Sequence, residues 1–253
     1  MPIIDTHTHY GTWAYPMRQQ SAADMVKLLA SRGIRCAVVS STSAIVYDFH
    51  NGNRALAEAI APHPELFAYM TINLNYVEES LQELSTYARH PKFVGTKVHP
   101  LYCRQKLDSP NGRLLVRAIA EYGWPLLVHT YSSAIESPWN VLPVAQANPG
   151  LPIIMAHMGG DMWWEGIRVA KESRNLYLDP CASWADTDKL AIAVRELGAE
   201  RILFGSDYSL FDPAHTLGMI EEADLSTEER ELILGGNALR LFGHKILPNG
   251  QDC

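Results

Sequence analysis

The feature that most constrains this chain is a repeated alternation: short runs rich in Val, Ile and Leu, each followed by a longer segment with helical periodicity. Eight such runs are read at Pro2–Asp5, Cys36–Ser40, Leu66–Ile72, Phe93–Val98, Pro125–His129, Pro152–His157, Asn175–Asp179 and Arg201–Asp207. Runs of this kind fit strands buried on both faces, and strands that alternate with helices pair in parallel through crossovers. The intervals carry expected helices at Ala22–Arg32, Asn53–Ala61, Glu78–Ala88, Gly112–Tyr122 and Thr187–Leu197, with turn residues such as Gly33, Pro91, Gly123 and Gly198 at the joints. Two architectures use this alternation. A doubly wound nucleotide-binding sheet needs a Gly-rich loop after its first strand, and here that place reads Asp5-Thr6-His7-Thr8-His9. The expected fold is therefore α/β, a single (β/α)8 TIM barrel. Its usual size is about 250 residues, and no linker or shift of composition divides residues 1–253 into two domains.

Composition narrows the partners. At 47% hydrophobic and 19% charged residues the chain can bury a substantial core, and a net charge of −7 without a basic stripe speaks against nucleic acid. No apolar run is long enough to span a bilayer, and the N-terminus lacks the pattern of a secretory signal, so a cytoplasmic protein without a membrane partner is expected. Cys36, Cys103, Cys181 and Cys253 form no C-x-x-C pair and read as reduced thiols.

Successive side chains of a strand point to opposite faces, so His7 and His9 share a face and can converge on one ion. Alone, such a pair is as readily two histidines hydrogen-bonded to loops. Barrel enzymes, however, gather their chemistry at the C-terminal ends of the strands. The fifth run ends at His129, the sixth at His157 and the eighth at Asp207.

The pieces IIDTHTHYG, VGTKVHP, VHT, AHMGG, FGSDYS and LILGGNALRLFG together resemble the amidohydrolase superfamily, in particular the branch that includes aminocarboxymuconate-semialdehyde decarboxylase. The resemblance implies one divalent metal held by His7, His9, His129 and Asp207, with His157 beside it as a catalytic side chain. Zinc is the expected ion and manganese the alternative. Lys97 stands where binuclear relatives carry a carboxylated lysine; in that arrangement His157 ligates a second metal. The GTKVHP context, however, resembles mononuclear members. Asp207 either takes a proton from bound water or only completes the coordination sphere. His99 shares the Lys97 face and either touches substrate or is a loop histidine. Substrate contacts are also read at Arg104, Trp13, Tyr102 and Trp163, although a solvated arginine and barrel-capping aromatics account for the same residues. The aromatic-rich loops fit a pocket for a small cyclic or aromatic molecule and equally the interface of a homo-oligomer.

A bound ion lowers the pKa of its water toward 7, so hydrolysis of an amide, lactone or ester-like bond is the first expected reaction. Non-oxidative decarboxylation of an aromatic or unsaturated acid is the alternative, and a catalytically silent metal-binding barrel is the reading from outside enzymology.

Overall fold

The computed structural model describes residues 1–17 and 20–246. Seven strands, β1 (Ile3–Tyr10), β2 (Ile34–Ser41), β3 (Leu66–Thr71), β4 (Phe93–Val98), β5 (Leu126–His129), β6 (Ile153–Ala156) and β7 (Leu176–Leu178), pair in chain order. Every pairing is parallel. Each crossover carries a helix, and local chemistry sets its ends. Ser21 and Asp24 form a capping box that starts Ala22–Ser31, and Ser109 caps Pro110–Tyr122 before Gly123 ends it in a left-handed turn at φ 64. The helix expected from Asn53 begins earlier, at Phe49, because the Asp48 carboxylate accepts from Asn51 N and caps it there.

The expected eighth strand, Arg201–Asp207, is not a strand in the structure. It meets its neighbours at the isolated bridges Leu178–Ile202 and Thr8–Tyr208. The backbone explains the interruption. Leu203 N donates to Leu178 O at 2.8 Å and Asp207 N to His7 O at 2.8 Å, but Phe204 N turns away to Ile233 O at 2.9 Å. Asp207 itself lies at φ 59, outside the extended region. The architecture is a curled parallel sheet of seven strands with helices packed against its outer face.

Two apolar layers hold it. The larger lies between sheet and helices and includes Met25, Leu56, Leu84, Ile119 and Val169. The smaller fills the curl with Ile4, Val38, Val94, Leu127, Ile154 and Leu203, and Ala238, Phe242 and Ile246 of the helix Asn237–Ile246 close it. That helix sits at the N-terminal ends of the strands: a Cβ on Gly235 would lie 1.9 Å from the Pro2 carbonyl oxygen, and Lys245 Nζ stacks 4.5 Å over the Trp124 ring. Cys36, Cys103 and Cys181 form no disulfide, and Cys253 lies outside the described residues. Among the described residues no helix is long and apolar enough to cross a membrane.

Candidate metal centre

The opposite end of the curl is polar. β1 runs through His7 and His9, and its register against β2 shifts between Asp5 and Thr8. Ile4 packs into the apolar filling of the curl, and the shift restores the inward direction at His7 and His9 beyond it. Asp5 anchors the turn of chain: its Oδ1 accepts from His7 N at 3.1 Å and Ser206 N at 3.0 Å, and burial pushes its carboxyl up to about 7. Gly205 makes the room. A Cβ there would lie 2.8 Å from His7 Cβ and 3.2 Å from Asp179 Cγ.

His7 Nε2 and His9 Nε2 are 3.2 Å apart, and Asp207 Oδ1 lies 3.5 Å from the first and 3.0 Å from the second. All three residues are buried. An ion with bonds of 2.0–2.1 Å in tetrahedral geometry has donor-to-donor edges of about 3.3 Å, so this triangle fits a divalent cation. Asp179 supports it from behind. Its Oδ2 lies 3.1 Å from His7 Nδ1, so that nitrogen carries the proton and Nε2 faces forward as a lone pair. Burial pushes the Asp207 carboxyl up to about 6 and the His157 imidazolium down to about 4. The Lys97 ammonium, buried with Nζ 3.2 Å from His7 Nε2, is pushed down to about 8 by the same cause.

His157 reaches the cluster through backbone conformation. Ile153 and Met155 face the outer layer, so a continued strand would send His157 outward, but its φ of 63 turns the side chain into the curl. Its Nε2 lies 3.0 Å from His129 Nδ1, and its Nδ1 lies 3.1 Å from Cys181 O. His129 Nε2 is 3.0 Å from Glu136 Oε2, and the His99 ring stacks on His129 at 3.8 Å between centroids. A second set of ligand-type atoms, from His7, His157, Asp179 and Cys181, also converges. Protons satisfy that set. Burial holds the Cys181 thiol well above its usual range, and Sγ donates to Asp179 Oδ1 at 2.7 Å.

Above these groups lies a cavity of about 190 Å³ lined by His9, Trp13, Tyr15, His99, Leu101, Tyr102, His129, His157, Asp207 and Leu210. The expected contacts Trp13, Tyr102 and His99 are thus brought together with the polar cluster. Arg104 and Trp163 are not. Arg104 ends the short helix Pro100–Cys103 at φ 51 with an exposed side chain, and Trp163 Nε1 donates instead to Asp186 Oδ2 at 2.6 Å. A larger cavity of about 380 Å³ between Ala22–Ser31 and the start of β2 has walls such as Val26, Leu29 and Leu66 and no His or Asp. The chemistry therefore belongs to the smaller one.

Sequence reasoning missed Asp179, Cys181 and Glu136. Asp179 was visible as the last residue of the seventh apolar run, where a carboxylate at a strand end is the same signal that marks Asp207. Glu136 and Cys181 carry no such mark.

A family model described as amidohydrolase matches residues 4–244. A curated gamma-resorcylate decarboxylase of a Polaromonas species is 25% identical over 86% of this chain and 86% of its own length. Among solved structures, 2,6-dihydroxybenzoate decarboxylase from Rhizobium superposes with a TM-score of 0.81 at 18% identity, covering 96% of this chain and 99% of that one. A dihydroxybenzoic acid decarboxylase from Polaromonas, with bound manganese and the inhibitor 2-nitroresorcinol, superposes with a TM-score of 0.79 at 20% identity, covering 96% and 97%. These relatives overturn the expectation of hydrolysis: each is a decarboxylase of an aromatic acid.

Proposed function

The chain belongs to the amidohydrolase family, and from that membership we propose that it is a divalent-metal decarboxylase of a small aromatic acid. The observation that carries this reading is the joining of the His7–His9–Asp207 triangle to an aromatic-walled cavity of about 190 Å³. Drug-sized ligands occupy pockets of about 300–1,000 Å³, so this smaller space favours a single ring. The likeness to decarboxylases of hydroxybenzoates supports an acid with a hydroxyl next to its carboxylate, and the manganese of the Polaromonas structure favours manganese over zinc.

His7, His9 and Asp207, whose donor atoms converge, would hold one ion, with His129 as a fourth ligand from outside that triangle and Lys97 an unmodified amine beside it. When bound, the ion supplies Lewis-acid polarisation and a template for the substrate oxygens. In the reaction the bond from the ring to the carboxyl carbon breaks, carbon dioxide leaves, and the electron pair stays on the ring carbon until a proton takes its place. The protein must therefore orient the ring and deliver one proton. Trp13, His99 and Tyr102 flank the ring, and the Trp13 and His9 rings already meet edge to face at 5.0 Å. Asp207 would pass the proton to the ring carbon through the carboxylate oxygen that does not face the ion. His157 faces the same cavity and stabilises charge as it moves. In this reading residues 1–253 act as one unit, with Ile202–Tyr208 completing the ring between β7 and β1.

The test is a panel of ortho-hydroxybenzoates, 2,6-dihydroxybenzoate among them, incubated with manganese-loaded protein. Carbon dioxide and the decarboxylated phenol are expected in equal amounts. Lack of carbon dioxide from every member, with turnover of an amide or lactone instead, would overturn the proposal.

A further inference from the structure

We infer that Glu136 is a positioning residue for the metal centre: it holds His129 in the tautomer protonated at Nε2, so that Nδ1 is left as a metal donor. The inference rests on the metal-centre reading above.

Glu136 comes from the loop after β5, and the backbone fixes it there. Tyr131 N donates to Glu136 O at 2.9 Å, and Glu136 N donates to Ser133 O at 3.2 Å. The side chain is 6% exposed, and among the described residues its Oε2 has no aligned hydrogen-bond donor. His129 Nε2 lies within reach at 3.0 Å, and the Ser133 hydroxyl sits close to the same carboxylate. A buried carboxylate oxygen without a donor is costly, and a small rotation of the imidazole brings the Nε2 hydrogen onto it.

The other edge of the same ring explains why that rotation has a purpose. His157 Nδ1 faces the Cys181 carbonyl, which only accepts, so His157 carries its proton on Nδ1 and presents a lone pair at Nε2. The Cys181 thiol does not compete for that role because its own hydrogen goes to Asp179. With Glu136 holding the proton of His129 on Nε2, His129 Nδ1 is also a lone pair. Two lone pairs then face one another across 3.0 Å. Such a pairing is repulsive by itself and is relieved when the His129 lone pair turns to a cation, which leaves His157 beside the ion rather than on it. Asp179 does the same for His7, whose Nε2 lone pair faces His9 Nε2 at 3.2 Å. The centre thus uses two acidic residues on two different loops to aim two imidazoles, a device that typically controls metal affinity by 10- to 100-fold.

The experiment compares wild-type protein, Glu136→Ala and Glu136→Gln, each as the full chain. Manganese affinity is read from the electron paramagnetic resonance of free ion, and the His129 tautomer from ¹⁵N-histidine spectra of metal-free protein. In Glu136→Ala the manganese dissociation constant should rise by about 10- to 100-fold, and His129 should lose its fixed Nε2 proton. Glu136→Gln keeps an acceptor oxygen on the same stem, so it should hold the tautomer and lose less affinity. Unchanged affinity and tautomer in Glu136→Ala would overturn the inference. So would an affinity loss that follows a matching fall in metal-free thermal stability without rescue by Gln, which marks a structural role. If Glu136→Ala does not fold, the tautomer and affinity of Glu136→Gln carry the test, and scrambling of the tautomer there is equally contrary. A wild-type protein that binds no manganese refutes the metal-centre reading, while the spectra of metal-free protein still decide what Glu136 does to His129.

Discussion

The two ends of the curled sheet are made from the same strands yet differ in almost every physical respect. At the N-terminal end Ile4, Val38, Val94, Leu127 and Leu203 meet Phe242 and Ile246 in a dry plug. At the C-terminal end His7, His9, Lys97, His157, Asp179 and Asp207 are buried and His129 is half-buried. Burying that many polar groups costs several kcal/mol unless each finds a partner. A cation bound among them would offset that cost. The plug contributes the stability that allows the other end to be strained, and strain is visible there as left-handed backbone at His157 (φ 63) and Asp207 (φ 59). One end is built to fold and the other to act.

The strongest way to break this division is to remove the paired histidines. His7→Ala with His9→Ala should eliminate metal binding and bring decarboxylation to background while the sheet still folds, as followed by elemental analysis, turnover and circular dichroism. Retained stoichiometric metal would show that the centre lies elsewhere. A smaller effect separates ligand from partner within the polar end. His157→Asn should keep the ion and lower turnover by about 10²- to 10⁴-fold, the usual cost of a lost acid–base group. Loss of metal in step with activity would instead make His157 a ligand.

The opposite end should respond in stability alone. Phe242, 1% exposed, fills the plug, and Phe242→Ala should cost about 3–5 kcal/mol in denaturant unfolding. At low temperature, where the variant is folded, its turnover per bound metal should stay near wild type. A collapse of turnover in folded protein would mean that the two ends are coupled.

The smallest expected effect lies in pH dependence. Burial pushes the Lys189 ammonium down from 10.5 to about 8, although Nζ donates to Ser183 Oγ at 2.6 Å and to the Trp184 carbonyl. Between about pH 8 and pH 10 the unfolded chain keeps this proton more tightly than the folded one. Stability therefore rises with pH across that window, and below it both states are protonated and the dependence fades. Thermal unfolding of Lys189→Met should show a shallower rise over the same range than wild type. Identical slopes would contradict the assignment.

How much of this was legible in the sequence differs between the two ends. Seven of the expected strands stand where apolar runs marked them, because burial on both faces writes itself as continuous Val, Ile and Leu. The eighth run had the same composition, but hydrogen bonding of Phe204 N to Ile233 O is a long-range event that no local pattern carries. Strand period placed His7 and His9 on one face; it did not show the register shift that aims them inward, nor the left-handed turn that brings His157 in. Loop residues were least legible. Arg104 and Trp163 had suitable chemistry and point elsewhere, whereas Glu136 had no motif and lies 3.0 Å from His129, because loop direction is set by tertiary contacts rather than by spacing.

One ion should serve one reaction, and a metal titration reads both together. Metal-free protein is supplied with increasing manganese, and carbon dioxide and phenol released from 2,6-dihydroxybenzoate or its active analogue are measured at each step. Both products are expected to rise in parallel and level off at one ion per chain. Saturation at two ions, or turnover that ignores manganese, would contradict this.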